Sequence, residues 1–269
     1  MIVDSHSHLD TFDDAELAGV LADARAAGVQ RIVTVGMDTQ TSARGAAIAA
    51  SQDMVFAAVG LHPWLAQDHP QGAPLEELEA LAAGDDVVAI GEIGLDFVDN
   101  SWLQLSYEDP ALRAHQEEVF RAQLRLARRL GLPVILHSRG AHATTTRILG
   151  EEGMESVGGC VQFFEGTPDD VAAYVALGFA FSVGASVTFP DAEPGWHETV
   201  RAVPTDALLL ESDAPWLPYF GHDSGRSAPA DLVAIGEVVA QVRGTDPAEL
   251  FSVTTRNLRR VFPAAGLPD

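Results

Sequence analysis

The chain has 269 residues, 47% of them hydrophobic, so it can form one large α/β domain or two small ones with a sizeable core. Its formal net charge of −23 argues against a general nucleic-acid-binding surface, because phosphate binding needs clustered cations, although local arginines in a cleft could hold one phosphate. All 16 basic residues are arginine, which excludes a Schiff-base lysine, a P-loop lysine and a carbamylated lysine that bridges two metals. Any residue that bridges two metals must therefore be a carboxylate.

Short β-rich segments alternate with helix-period segments along nearly the whole chain. Strands are predicted near residues 2–4, 31–35, 55–59, 87–90, 133–136, 159–163, 179–183 and 207–210. Helices are predicted near residues 13–27, 40–50, 75–82, 111–130, 141–150, 168–176, 196–202, 228–242 and 247–260. The strands consist mostly of Val, Ile, Leu, Phe and Ala without polar alternation, which is typical of strands buried on both faces of a parallel sheet.

This alternation predicts an α/β fold, a TIM-like (β/α)8 barrel in which residues 1–269 form a single domain. A doubly wound open sheet is the alternative. Its dinucleotide-binding version is disfavoured because no Gly-x-Gly-x-x-Gly follows the first strand. Residues 97–110 are long for a βα loop, and Trp102 and Tyr107 there would either cover a substrate or pack the loop against the barrel rim.

The sequence shows no feature of a membrane or secreted protein. It has no apolar run of about 18 residues, so no transmembrane helix is expected. Asp4 and His6 interrupt any apolar leader, so no signal peptide is expected, and Cys160, the one cysteine, excludes an internal disulfide. We therefore expect a cytoplasmic protein that does not bind a membrane, and the sequence does not indicate its oligomeric state.

The first strand runs directly into His6-Ser7-His8. Side chains two residues apart in a strand share one face, so His6 and His8 would point the same way. Two imidazoles so placed can hold one divalent metal if other strands bring further ligands. Taken alone, the pair could also be two histidines of an exposed N-terminal segment.

Metal-ligating residue types follow five of the predicted strands. They are His6 and His8 after the first strand, His62 after the third, Glu92 after the fourth, His137 after the fifth and Asp213 after the eighth. Considered alone, Glu92 could be a buried ion-pair partner, His137 a core histidine and Asp213 a helix cap. Because the carboxyl ends of the strands of such a barrel meet at one rim, their joint occurrence favours a metal site.

The chemistry follows from this ligand set. The first metal is predicted to bind His6, His8, Glu92 and Asp213. A second metal would share Glu92 and add His137. Bound metals lower the pKa of a coordinated water and supply hydroxide near neutral pH, with Asp213 as the general base and Glu92 as the shared catalytic carboxylate. The implied reaction is hydrolysis of a phosphodiester, amide or ester, with one or two ions of Mg, Mn or Zn per chain.

Five motifs carry these residues. They are Asp4-Ser5-His6-Ser7-His8-Leu9-Asp10, Gly60-Leu61-His62-Pro63, Gly91-Glu92-Ile93-Gly94-Leu95-Asp96-Phe97, Leu132-Pro133-Val134-Ile135-Leu136-His137-Ser138-Arg139 and Leu208-Leu209-Leu210-Glu211-Ser212-Asp213-Ala214-Pro215. Together they resemble the TatD family of metal-dependent hydrolases, commonly described as TatD DNases, over nearly the whole chain. The resemblance implies a TIM-like barrel, the same five metal ligands, and hydrolysis of DNA, often exonucleolytic from the 3′ end. It also implies that His62 and Arg139 line the substrate site.

The chain departs from the family pattern at two places. Gln162 stands after the sixth strand where the family usually has a second-metal histidine, and a neutral amide oxygen suits Mg²⁺ or Ca²⁺ better than Zn²⁺. The second metal is therefore expected to be weak, water-ligated or absent, and Glu165 would compensate only if its loop turned inward. Arg226 lies in Arg-Ser-Ala-Pro, where the family commonly has Arg-Asn-Glu-Pro, and would either contact substrate or brace the Asp213 loop.

Three functional hypotheses follow. The first is a metal-dependent deoxyribonuclease of the 3′–5′ exonuclease type that acts on DNA, at single strands or 3′ ends. The second is a hydrolase of a small phosphoester, amide or lactone, which the acidic composition favours. The third is a non-catalytic homologue that has lost its second metal. A cleft lined by Arg139, Arg226 and Arg113 would favour nucleic acid, and a closed apolar pocket would favour a small molecule.

Overall fold

The computed structural model describes residues 1–99, 106–107, 109–192 and 195–266. Within these ranges, one eight-stranded parallel sheet follows the chain order from the first strand to the eighth. The strands are β1 (Ile2–Ser7), β2 (Val29–Val35), β3 (Val55–Val59), β4 (Val87–Asp96), β5 (Val134–Arg139), β6 (Gly159–Val161), β7 (Phe179–Val183) and β8 (Leu208–Leu210). The sequential order confirms the TIM-like (β/α)8 fold and excludes the doubly wound sheet, whose strand order reverses.

Helices alternate with the strands as predicted. They are α1 (Asp14–Ala26), α2 (Thr39–Ser51), α3 (Leu75–Ala82), α4 (Pro110–Leu130), α5 (His142–Glu151), α6 (Pro168–Val175), α7 (Gly195–Ala202), α8 (Leu232–Arg243) and α9 (Pro247–Val261). Local sequence explains several of their ends: Thr167 and Asp170 form a capping box before α6, and Gly131 ends α4 in the left-handed region at φ 69°. The helix predicted from residue 228 begins at Leu232, because residues 229–231 form a 3₁₀ turn.

The segment after β8 returns to β1 and nearly closes the barrel. The Asp213 amide donates to the His6 carbonyl at 3.0 Å, and the His8 amide donates to the Ala214 carbonyl at 2.7 Å. Ser5 Oγ donates to the Leu210 carbonyl at 2.9 Å. These bonds place Asp213 beside the two histidines of β1, although more than 200 residues separate them in sequence.

Strand β4 extends beyond its predicted end at residue 90 and carries Glu92 within the sheet. Two glycines permit this extension by letting β4 lie close to β5. A Cβ on Gly91 would lie 2.7 Å from the Ile135 Cβ, and one on Gly94 would lie 1.9 Å from the His137 carbonyl oxygen. The glycines on either side of Glu92 are therefore required by the close approach of the two backbones.

The long βα loop is described only in part. Tyr107 is buried and thus packs the loop against the rim of the barrel, while Trp102 lies outside the described residues. Within the described parts of the chain, no helix is both long and apolar enough to cross a membrane.

Candidate metal centre

His6 and His8 face the same side of the end of β1, as their alternation predicts. Their Nε2 atoms lie 3.1 Å apart. The Nδ1 of His8 lies 3.0 Å from the Val35 carbonyl at the end of β2. Because a carbonyl oxygen can only accept, Nδ1 carries the proton and Nε2 presents a lone pair, which is the tautomer that binds a metal.

Two carboxylates complete this group. Glu92 Oε2 lies 3.5 Å from His6 Nε2 and 3.8 Å from His8 Nε2. Asp213 Oδ1 lies 3.6 Å and 3.5 Å from the same two nitrogens. Ligands bound at about 2.1 Å around a tetrahedral ion are about 3.4 Å apart, so these spacings suit a divalent metal. We call His6, His8, Glu92 and Asp213 the first-site group.

His137 approaches the other oxygen of Glu92. Its Nδ1 lies 3.0 Å from Glu92 Oε1, and its Nε2 lies 3.1 Å from Asp96 Oδ2. Asp96 is fully buried and also accepts a hydrogen bond from the Trp64 indole at 2.6 Å. This carboxylate holds the His137 ring so that Nδ1 faces the site, as carboxylates behind metal-bound histidines commonly do.

Gln162 is the residue at which the chain departs from the family pattern, and its side chain faces the site. Its amide nitrogen lies 2.8 Å from Glu92 Oε1 and 3.1 Å from His137 Nδ1. Its buried Oε1 has no hydrogen-bond partner among the described residues. An N–H group aimed at Glu92 is not a metal ligand, so the amide would have to rotate to bind an ion.

His62 also reaches Glu92, with its Nε2 3.4 Å from Oε1. The donor atoms of His62, Glu92 and His137 all lie within 4.8 Å of one another, which is close enough to hold an ion. However, the Trp64 amide donates to His62 Nδ1 at 3.2 Å, so Nδ1 is the unprotonated nitrogen and Nε2 carries the proton. This hydrogen bond makes His62 a donor toward Glu92 or a substrate. We call Glu92, His62, His137 and Gln162 the second-site group.

Burial and neighbouring charges set the protonation of both groups. Burial lowers the pKa of His6 to about 3 and that of His62 to about 4, so both rings are neutral at neutral pH. Burial alone would raise the pKa of Glu92, but the surrounding histidines hold it well below its usual range. Burial raises the pKa of Asp213 to about 7, which suits a group that accepts a proton near neutral pH.

The pKa of His137 is shifted in the opposite direction from those of His6 and His62. Burial alone would lower its pKa, but hydrogen bonds to Asp96 and Glu92 outweigh it and raise the pKa to about 9. The ring is therefore cationic at neutral pH when no metal competes for Nδ1.

The residues of both groups except His6 line a cleft of about 620 Å³ at the carboxyl ends of the strands. Arg139 lines the cleft, with its Nε 3.1 Å from Asp96 Oδ2. Arg226 does not: it pairs with Glu16 at 3.2 Å and lies over the Phe12 ring, so the structure does not support its contact with substrate. Arg113 lies over Phe97, also outside the cleft lining. Aromatic residues line much of the opening, namely Trp64, Phe163 and Trp216.

Sequence reasoning missed some participants. Asp96 was not predicted as part of the site. It follows Glu92 by four residues in β4, and an even spacing in a strand places both side chains on the same face. Nothing in the sequence marked Trp64 or His142, which also line the cleft. Glu165 is exposed and lines the outer cleft, and its contact with a metal is not indicated.

Comparison with known proteins identifies the family and several relatives of the chain. The family model described as TatD related DNase matches residues 3–263. An uncharacterized metal-dependent hydrolase of Bacillus subtilis, YabD, is 36% identical over 263 residues, which cover 97% of this chain and 99% of that protein. The 3′-5′ ssDNA/RNA exonuclease TatD of Cronobacter sakazakii is 35% identical over 249 residues, 90% of each chain. The crystal structure of YjjV, a TatD homologue of Escherichia coli, superposes with a TM-score of 0.87 at 30% identity, covering 99% of this chain and 98% of that one.

Proposed function

The chain belongs to the TatD-related DNase family of metal-dependent hydrolases, and from this premise we propose that it is a deoxyribonuclease of the 3′–5′ exonuclease type. The observation that carries the proposal is the convergence of His6, His8, Glu92 and Asp213, the last three of which line an open cleft. The name of the Cronobacter relative, an exonuclease of single-stranded nucleic acid, supports the choice of substrate.

Each group of the site has a proposed role. The first-site group would hold one divalent ion firmly, and His137 with Glu92 would hold a second ion weakly. Divalent ions in these positions would polarise a phosphoryl oxygen and activate water for attack on phosphorus. Mg, Mn and Zn are the candidates.

Three of the chain's own residues then act on the substrate. Asp213 accepts the proton of the attacking water, because its carboxylate lies beside the first metal position, 3.5 Å from His8 Nε2. Arg139 binds the phosphate from the cleft wall, and His62 offers its Nε2–H to a phosphoryl oxygen.

Burial favours an end of a single strand as the substrate. Glu92 is only 2% exposed and His6 is fully buried, so the reacting phosphate must enter the cleft. Phosphates within a duplex lie on the outside of a wide, stiff helix and cannot reach this depth, whereas a free end can. We also propose a cytoplasmic location.

A second candidate is a hydrolase of a small phosphoester, and one observation favours it. Arg139 is the one arginine among the described residues that line the cleft, and the chain has a net charge of −23. A long polyanion gains little affinity from such a surface, while a small monoester or diester needs only one cation and the metals.

The test is a metal titration of the purified protein against 3′-labelled single-stranded DNA and a small phosphodiester, with Asp213→Ala in parallel. We expect cleavage of the DNA with Mg²⁺, Mn²⁺ or Zn²⁺, shortening from the labelled end, and loss of about 10²- to 10⁴-fold in kcat for Asp213→Ala. Cleavage of the small diester alone would favour the second candidate. No turnover of either substrate with any of the three ions would eliminate the nuclease and indicate a non-catalytic homologue. Full activity of Asp213→Ala would show that Asp213 is not the base.

A further inference from the structure

Trp216 is an exposed aromatic residue at the mouth of the cleft, three residues after Asp213. It is 52% exposed, whereas tryptophan side chains are buried to a large extent on average. Its side chain lines the same cleft as Asp213 and Glu92. An exposed aromatic face beside the reacting groups can stack on a ring of the substrate.

The backbone that carries Trp216 is fixed. Its amide donates to the Asp213 carbonyl at 2.8 Å, and its own carbonyl accepts a hydrogen bond from Ser227 Oγ. Ser227 in turn donates its amide to the Pro215 carbonyl at 3.1 Å. Because the backbone is already ordered, a ligand that stacks on the ring loses little affinity to ordering of the loop.

The charge of the cleft favours such a contact for a nucleic acid. Among the described residues that line the cleft, Arg139 is the one arginine, and the protein as a whole repels polyanions. Stacking of a base on an aromatic side chain does not depend on charge, and it occurs with every base. It is therefore a contact by which this acidic cleft can hold a nucleotide.

We propose that Trp216 stacks on the base of the terminal nucleotide of a single-stranded substrate and is a specificity-determining residue of the site. The inference rests on the proposed function and deepens it. It requires a base whose face is free, as at the end of a single strand, so it disfavours a phosphodiester without a base.

The test compares two single-stranded oligonucleotides that differ only at the terminal residue, an adenine nucleotide or an abasic tetrahydrofuran. With the metal-loaded enzyme, Trp216→Leu should raise KM for the adenine end by about 5- to 100-fold and leave kcat within about twofold, because stacking stabilises substrate and transition state alike. For the abasic end, KM of Trp216→Leu should differ from that of the wild type by less than about twofold. Trp216→Phe should restore most of the affinity, since phenylalanine also presents an aromatic face.

Phe220 provides a matched control. It lies on the same loop and is 56% exposed, but its side chain does not line the cleft. Phe220→Leu should therefore behave as the wild type on both substrates. If Trp216→Leu raises KM equally for the adenine end and the abasic end, the role of Trp216 is merely structural and the inference is overturned. An unchanged KM for the adenine end would also overturn it.

A binding measurement separates this inference from the proposed function. If the wild type cleaves neither oligonucleotide, the nuclease proposal fails, and 2-aminopurine at the oligonucleotide terminus then reports stacking. Its fluorescence should be quenched by the wild type and by Phe220→Leu but not by Trp216→Leu. Equal quenching by all three proteins, or none by the wild type, would overturn the stacking role.

Discussion

The two oxygens of the Glu92 carboxylate have different surroundings. Oε2 lies beside His6 and His8, and the tautomer of His8 is set by the Val35 carbonyl so that a lone pair faces the site. Oε1 lies among three nitrogen donors, namely His62 Nε2, His137 Nδ1 and Gln162 Nε2. One side of the carboxylate is thus prepared to share an ion, and the other is surrounded by hydrogen-bond donors.

This difference shows that proximity of ligand-type residues does not by itself make a metal site. The first-site and second-site groups both contain two histidines and Glu92. They differ in which histidine nitrogens carry a proton. The hydrogen-bond partner of one ring nitrogen determines whether the other can bind a metal. We therefore expect one tightly bound ion per chain and a weaker second one.

The largest effect is expected from His8→Asn, with His62→Asn as its counterpart. Substitution of a residue that hydrogen-bonds to a metal ligand costs about 10- to 100-fold in metal affinity, so loss of His8 itself, a proposed ligand, should cost more than about 100-fold. His62→Asn should leave the metal content at its wild-type value and raise KM, because we expect His62 Nε2 to donate a hydrogen bond and not to bind an ion. Metal content after dialysis, measured by mass spectrometry, checks both. If His62→Asn also loses the tight ion, our assignment of the His62 tautomer is wrong.

Asp96→Asn tests the orientation of His137. Asparagine keeps the shape of Asp96 but removes its charge, so His137 loses the carboxylate that directs Nδ1 toward Glu92. We expect affinity for the second ion, and activity that depends on it, to fall by about 10- to 100-fold, with the first ion retained. Calorimetric titration resolves the two binding steps. Equal weakening of both ions would mean that Asp96 supports the whole site.

Gln162→His restores the residue that the family usually has. An imidazole in place of the amide should strengthen the second ion by at least about tenfold, because imidazole is the better ligand for zinc and similar ions. Gln162→Met serves as the control, since it has a similar volume and should not add a second ion. A stoichiometry that stays the same in Gln162→His would show that position 162 does not contribute to metal binding.

The sequence predicted the barrel and the strands that carry the site, because uninterrupted apolar runs and helix periodicity are local properties of the chain. It also identified Gln162 as a departure, and its side chain does face the site. It could not show the direction of the Gln162 amide, because that depends on Glu92, 70 residues away in the chain. The ligand roles themselves stay predictions until an ion is observed.

The tautomers of His8 and His62 could not be predicted from the sequence either. The Val35 carbonyl that sets His8 comes from a neighbouring strand, and no sequence pattern specifies that contact. The Trp64 amide that sets His62 depends on the 3₁₀ turn that begins at Pro63. Asp96, in contrast, could have been found, since it alternates with Glu92 along the strand.

The smallest effects are expected from substitution of the arginines, which distinguishes a position in the cleft from one outside it. Arg139→Gln removes a cation from the cleft wall and should raise KM for a phosphodiester by about 3- to 10-fold, a modest loss because this side chain is partly exposed. Arg226→Gln should change KM by less than about twofold, since Arg226 contacts Glu16 and Phe12 instead of the cleft.

Initial rates over a range of salt concentrations provide the measurement. Removal of Arg139 should also reduce the dependence of KM on salt, because that dependence counts the phosphate contacts, while removal of Arg226 should not. If Arg226→Gln instead reduces both the affinity and its salt dependence, the substrate extends beyond the cleft and over the Asp213 loop. That result would favour a long single strand over a small phosphoester, because only an extended polyanion could contact both arginines.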